Sequence, residues 1–117
     1  MTTNEMQHIF LRNAASLVYW MQNHYTGFWV LGGELWRTPE QAELNAKKGT
    51  GSKNSLHISR LAIDIPMVDR EKKAIVSDSE VYRPAGEYWK SLHPLNRWGG
   101  DIPGDGNHFS MSPDGRI

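Results

Sequence analysis

Ser55-Leu56-His57-Ile58-Ser59-Arg60-Leu61-Ala62-Ile63-Asp64 is the stretch on which the reading of this chain turns. It begins as a polar loop and ends in an alternating run. In that run Leu61, Ile63 and Ile65 share one face, and Ala62 and Asp64 share the other. One imidazole and one carboxylate therefore stand seven residues apart across a loop-to-strand junction, with Asp64 turned towards a cleft and not the core. A matching segment lies near the C-terminus. Gly104-Asp105-Gly106-Asn107 has the residues that favour a turn, and it leads into His108-Phe109-Ser110-Met111, a strand with His108 and Ser110 on one face and Phe109 and Met111 on the other.

A catalytic zinc takes three protein ligands drawn from neutral His, thiolate or carboxylate, and keeps its fourth position for water. The chain has no cysteine, so thiolate ligands and disulfide staples are excluded. His57, Asp64 and His108 fill the requirement from what remains. A carboxylate alone on a strand is usually just solvated, so Asp64 is promoted to ligand by the two imidazoles together. Water bound to zinc still needs a base to take its proton as it attacks. Asp105, three residues before His108, is placed for that role if the turn brings it back to the same side. The pattern points to a zinc hydrolase.

Working back towards the N-terminus, Phe28-Trp29-Val30-Leu31 is aromatic and β-branched enough for a strand, and Gly32-Gly33 suggests a bulge or turn before Glu34-Leu35-Trp36. Thr38 can cap a helix with Pro39 at its first position and Gln41 three residues on, as in a capping box; the helix runs to Lys47 or Lys48 and stops at Gly49. Arg37, just before the cap, could aim its guanidinium into a cleft to steady an oxyanion or bind a peptide carboxylate; the alternative is a surface ion pair. Gly49 to Asn54 is a small, polar loop without the full phosphate-binding pattern. Residues 4 to 24 carry Phe10, Ala14, Leu17, Val18 and Met21 at the spacing of one helical face, with Asn4 as candidate cap, which predicts an N-terminal packing helix within residues 1–27. His8 and His24 lie near its ends and stay outside the site.

Beyond Asp64 the chain leaves the sheet at Pro66. Asp69-Arg70-Glu71-Lys72-Lys73 reads as a solvated turn before a short strand at Ala74-Ile75-Val76. A helix is expected from Ser79 to Leu92, weakened in its first half by Pro84 and Gly86, with Tyr88, Trp89 and Leu92 facing the core. His93, before Pro94, pairs with nothing at a recognisable spacing. Trp98-Gly99-Gly100-Asp101 reads as a strand end and turn, and residues 112–117 as a loose tail.

Ser55-x-His57, Ala62-x-Asp64 and Asp105-x-x-His108-Phe109 together resemble the D-Ala-D-Ala carboxypeptidase and VanY-like zinc peptidases, most closely their phage endolysin branch, the L-alanyl-D-glutamate peptidases. Trp36-Arg37-Thr38-Pro39-Glu40-Gln41 looks like that family's Arg-Thr-x-x-Gln segment, and Trp98-Gly99 resembles its aromatic-Gly segment. The likeness covers roughly residues 30 to 111. Arg60 departs from it, since many members carry Gly there. The resemblance implies a hedgehog/DD-peptidase-like fold, α+β with a small antiparallel sheet and packed helices. It also implies one Zn2+ on His57, Asp64 and His108, catalytic roles for Asp105 and Arg37, and substrate contacts from Ser55, Gln41 and Trp98. For Ser55 the bland alternative is a turn-forming hydroxyl, and for Trp98 a core indole.

Length and charge agree with that expectation. With 117 residues the chain suits one zinc peptidase domain, 1–117, and leaves no room for a separate wall-binding module. Thirteen basic and thirteen acidic residues cancel, so no overall field draws the protein to nucleic acid. No apolar run approaches the roughly 18 residues of a membrane span. The polar start, Met1 to His8, lacks the basic and apolar regions of a signal peptide. The expected partner is the peptidoglycan stem peptide. The expected state is a monomer made in the cytoplasm that reaches the wall by holin-type release. Two rivals stand beside the endopeptidase: a D-Ala-D-Ala carboxypeptidase or dipeptidase, and a non-catalytic zinc-stabilised binding module.

Overall fold

A computed structural model describes residues 1–47, 56–102 and 104–113. The first helix, α1 (Thr3–His24), buries Phe10, Ala14, Leu17 and Met21 on one stripe, as their spacing predicts. Its cap is Thr2, not Asn4: the Thr2 hydroxyl accepts from the Glu5 amide at 3.1 Å, and Asn4 already lies inside the helix. At its other end the Tyr25 amide bonds back to the Met21 carbonyl.

Among the described residues six short strands follow, in two antiparallel sheets. The first sheet has the order β1 (Phe28–Val30), β3 (Met67–Asp69), β4 (Ala74–Ile75). The hairpin between β3 and β4 is the solvated turn read from the charge run, and the Asp69 carboxylate caps it by accepting from the Glu71 and Lys72 amides, both at 3.0 Å. The strand at Met67–Asp69 was not expected; it escapes a pattern search because it is three residues long and follows Pro66. The second sheet has the order β2 (Ala62–Asp64), β6 (His108–Met111), β5 (Asn96–Trp98). Ala62 is fully buried on the face opposite Leu61 and Ile65, which are buried as well, so this strand is covered on both sides.

Helix α2 (Pro39–Lys47) starts at the Thr38 cap, whose hydroxyl accepts from the Gln41 amide at 3.0 Å. The third helix divides where Pro84 and Gly86 suggested trouble: Ser79–Tyr82 is a 3-10 turn capped by Asp78, and α3 (Arg83–Leu92) continues from it with Pro84 in its first turn. Gly86 is not a weakness but a requirement, since any Cβ there would run into the Trp98 indole, as would one at Gly100. Helices α1 and α3 pack on one another and on the second sheet. The Trp89 indole N–H is buried there and is shared between the carbonyls of Arg97 and Ser110, at 3.0 and 2.9 Å. That hydrogen bonding satisfies the polar edge of a ring whose apolar body anchors the core.

Ser112 departs from the expected loose tail: it is buried, and its amide bonds the Leu95 carbonyl at 2.8 Å. Residues 114–117 lie outside the described residues. The architecture is α+β, with small antiparallel sheets and packed helices, as expected. Among the described residues no helix is long and apolar enough to cross a membrane.

Candidate metal centre

The register of the second sheet builds the site. Strand β2 pairs with β6 so that Asp64 stands directly opposite His108, and alternation turns both side chains to one face. The pairing continues past the strand end, where the Ile65 amide bonds the Asn107 carbonyl at 2.8 Å. His57 arrives from the tight turn that feeds β2. Bonds from the Ser59 and Leu61 amides to Leu56 O, and from the Arg60 amide to His57 O, close that turn, and buried Leu56 and Leu61 pin its ends. Arg60 sits in the left-handed region with φ 56°. That is the conformation glycine adopts freely and other residues pay about 1 kcal/mol or more to hold. Its guanidinium lies 5.0 Å from the Trp36 ring centroid, a contact that offsets part of that cost.

The three expected ligands come together. One ligand atom from each of His57, Asp64 and His108 lies within 4.8 Å of the others. Asp64 Oδ1 is 3.4 Å from His57 Nε2 and 3.1 Å from His108 Nδ1. A tetrahedral ion with bonds of about 2.0–2.1 Å spaces its ligands by roughly 3.3–3.4 Å, so these separations suit one. Both imidazoles are buried, 2% and 6% exposed, and Asp64 is half-buried.

Hydrogen bonding supplies the test of fit. His57 Nδ1 faces the Leu35 carbonyl at 3.3 Å. A carbonyl only accepts, so Nδ1 carries the proton and a neutral His57 presents its Nε2 lone pair to the Asp64 carboxylate, itself an acceptor. Two acceptors facing one another require a proton or a cation between them. Two imidazole nitrogens and one carboxylate oxygen are a donor set suited to zinc and similar divalent ions, and a backbone carbonyl holding the far nitrogen is the usual support for a histidine ligand. The His57, Asp64, His108 group can hold a metal ion.

The same contacts set the protonation. Burial pushes His57 down, but the hydrogen bond and charge of Asp64 outweigh it, and the net direction is up; the charge of Arg37 opposes. Burial likewise penalises the Asp64 carboxylate, yet hydrogen bonds from His108 and His57 win and hold it far below the usual carboxylate range.

The remaining expected site residues fall at different distances from this group. Asp105 is exposed on the turn into β6, which the His108 amide closes by bonding the Asp105 carbonyl at 3.2 Å. Gly99 shows how tightly that turn is folded: a Cβ at 99 would lie 2.9 Å from His108 Cβ and 3.1 Å from Asp105 Cβ. The two side chains thus spring from neighbouring points. Arg37 is half-buried, with its amide on the His57 carbonyl at 3.3 Å and its Nε donating to Glu34 Oε1 at 2.7 Å. Gln41 is exposed and donates its side-chain amide to Asn45 at 2.7 Å rather than closing a capping box. Ser55 lies outside the described residues.

Trp98 is corrected. It is 0% exposed and lines no groove; its indole N–H donates to Gly106 O at 2.7 Å, and the Arg83 guanidinium and Lys90 ammonium cover its face at 5.0 and 5.9 Å from the centroid. It braces the turn that carries Asp105. The residues that sequence reasoning passed over are Leu35 and Glu34. A backbone carbonyl leaves no mark in a sequence, and the Glu34–Arg37 pair forms outside any helix, where no spacing rule announces it.

No protein-family model and no curated protein matches the chain. Among solved structures, it is similar to the L-Ala D-Glu endopeptidase ChiX of Serratia marcescens, with a TM-score of 0.58 and 17% identity over 71% of this chain and 66% of that one. The chain thus spans just under two thirds of that protein's length. At this identity the likeness speaks for the fold, and the fold that holds His57, Asp64 and His108 together is like that of an L-Ala D-Glu endopeptidase.

Proposed function

We propose that the chain is a zinc-dependent peptidoglycan peptidase of the phage endolysin kind, one catalytic domain that hydrolyses the L-Ala–D-Glu amide of the stem peptide. The observation that carries this reading is the convergence of two buried imidazoles and a carboxylate, within 4.8 Å, in a fold like that of an endopeptidase. Bound zinc would acidify its water and polarise the scissile carbonyl.

The chain's own residues supply the rest. Asp105 takes the proton of the attacking water on a carboxylate oxygen and hands it to the leaving amine nitrogen. Glu34 occupies the Nε/Nη2 edge of Arg37, so the opposite edge is the one that meets the oxyanion or a substrate carboxylate. Ser55, just before the first ligand, and Gln41, in the first turns of α2, contact the stem peptide. The protein works as a monomer and reaches the wall through a holin-type pore.

Digestion of purified peptidoglycan, followed by mass spectrometry of the fragments, tests the bond. The expected products carry a new C-terminal L-Ala and a new N-terminal D-Glu. Released D-Ala instead would identify a carboxypeptidase, and intact peptidoglycan with a zinc-loaded protein would identify a binding module. Asp105→Ala should keep its zinc and lose about 10²–10⁴-fold in turnover; turnover equal to wild type removes Asp105 as the base.

A further inference from the structure

Residues 33 to 37 form a strap across the metal centre. The Gly33 amide donates to the Asp64 carbonyl and the Asp64 amide to the Glu34 carbonyl, both at 2.9 Å. Leu35 O faces His57 Nδ1 at 3.3 Å, the Trp36 indole donates to Ile58 O at 3.1 Å, and the Arg37 amide donates to His57 O at 3.3 Å. Gly33 permits the approach, because a Cβ there would lie 2.6 Å from Asp64 O. One ion pair buckles the strap: Glu34 Oε1 takes Arg37 Nε at 2.7 Å together with Nη2, and the same oxygen lies 3.8 Å from His57 Nδ1.

We propose that Glu34 is a positioning residue of the metal centre, its carboxylate neutralising Arg37 beside the bound cation and holding the strap that orients His57. The inference rests on the metal-centre reading above. An exposed pair three residues apart contributes little. This one is half-buried against the site, where charges are less screened. A guanidinium left uncompensated there repels an incoming dication, whereas a carboxylate between them offsets the repulsion. The same carboxylate fixes which edge of Arg37 faces outward, so it sets the geometry of the guanidinium as well as its charge.

Zinc affinity, measured by competition with a chromophoric chelator, tests this alongside the melting temperature of the metal-free protein. Glu34→Gln should weaken zinc binding about tenfold or more, in the range of lost supporting contacts to ligands, while the metal-free melting temperature stays unchanged. Glu34→Asp, which keeps the charge, should recover most of the affinity, and adding Arg37→Met to Glu34→Gln should restore it. A merely structural buckle predicts no such restoration. Glu34→Gln that binds zinc as wild type does, or a double variant no better than Glu34→Gln, overturns the inference. Should Glu34→Gln fail to fold, Arg37→Met alone decides: tighter zinc binding supports the inference and unchanged binding overturns it. A wild type that binds no zinc sinks the metal centre and this inference together. One that binds zinc and leaves peptidoglycan intact sinks only the peptidase reading.

Discussion

Both sheets have three short strands, and they differ in what surrounds them. In β1-β3-β4, Trp29 is 45% exposed and Ile75 67% exposed, and the outer strand is only two residues long. In β2-β6-β5, all of β6 is buried, and α1 and α3 pack on the sheet. The first sheet leaves an open outer edge; in the second, any slip of register would part Asp64 from His108. The group that can hold a metal ion lies where burial fixes the register.

Substitutions can break or sharpen that contrast. Phe109→Ala, in the strand between His108 and Ser110, removes a ring that meets Trp89 edge-to-face at 6.2 Å between centroids. It should cost about 3–5 kcal/mol in urea unfolding. A loss below about 1 kcal/mol would show the second sheet to be no better packed than the first.

The link between the first sheet and the helices should titrate. The Tyr82 hydroxyl accepts from the Met67 amide of β3 at 2.7 Å, and the Tyr25 hydroxyl donates to Val81 O at 2.7 Å. Burial pushes both phenols up from 10.0. A raised folded-state value means that the stability is fully present below pH 10 and is lost as pH rises through the folded values. Each group then contributes a slope of at most about 1.4 kcal/mol per pH unit. Unfolding midpoints followed from pH 8 to 11 should be flat and then fall; a flat profile to pH 11 would show that neither phenol holds the layers together. The smallest effect belongs to the rim of the first sheet, where Ile75→Ala should change stability by no more than about 0.5 kcal/mol. A larger loss in the same urea experiment would mean that this edge is covered by something other than solvent.

The contrast also explains what could be read from the residues. The candidate metal group was legible because histidine is scarce, five in the chain, and because strand alternation says which way Asp64 and His108 point. The packing stripe of α1 was legible for the same kind of reason, periodicity. The cap was not, since Thr2 and Asn4 are both good caps and only the geometry chooses. Trp98 suits a groove or a core equally well by composition; Gly86 and Gly100, which make room for it, read as helix weakness and turn until the ring is placed between them. Glu34 looked like any surface acid because the imidazole it approaches, that of His57, belongs to a different segment. Arg60 was visible as a departure from glycine, and its positive φ shows what that departure costs.

The facing of Asp64 and His108 has one more consequence. These two residues are 44 positions apart along the chain, so an ion gripped by both would act as a removable rivet across a long excursion of backbone. Zinc would then do for β2 and β6 what a cystine does elsewhere, and a chelator would unfasten the very seam on which the turn carrying Asp105 is hung.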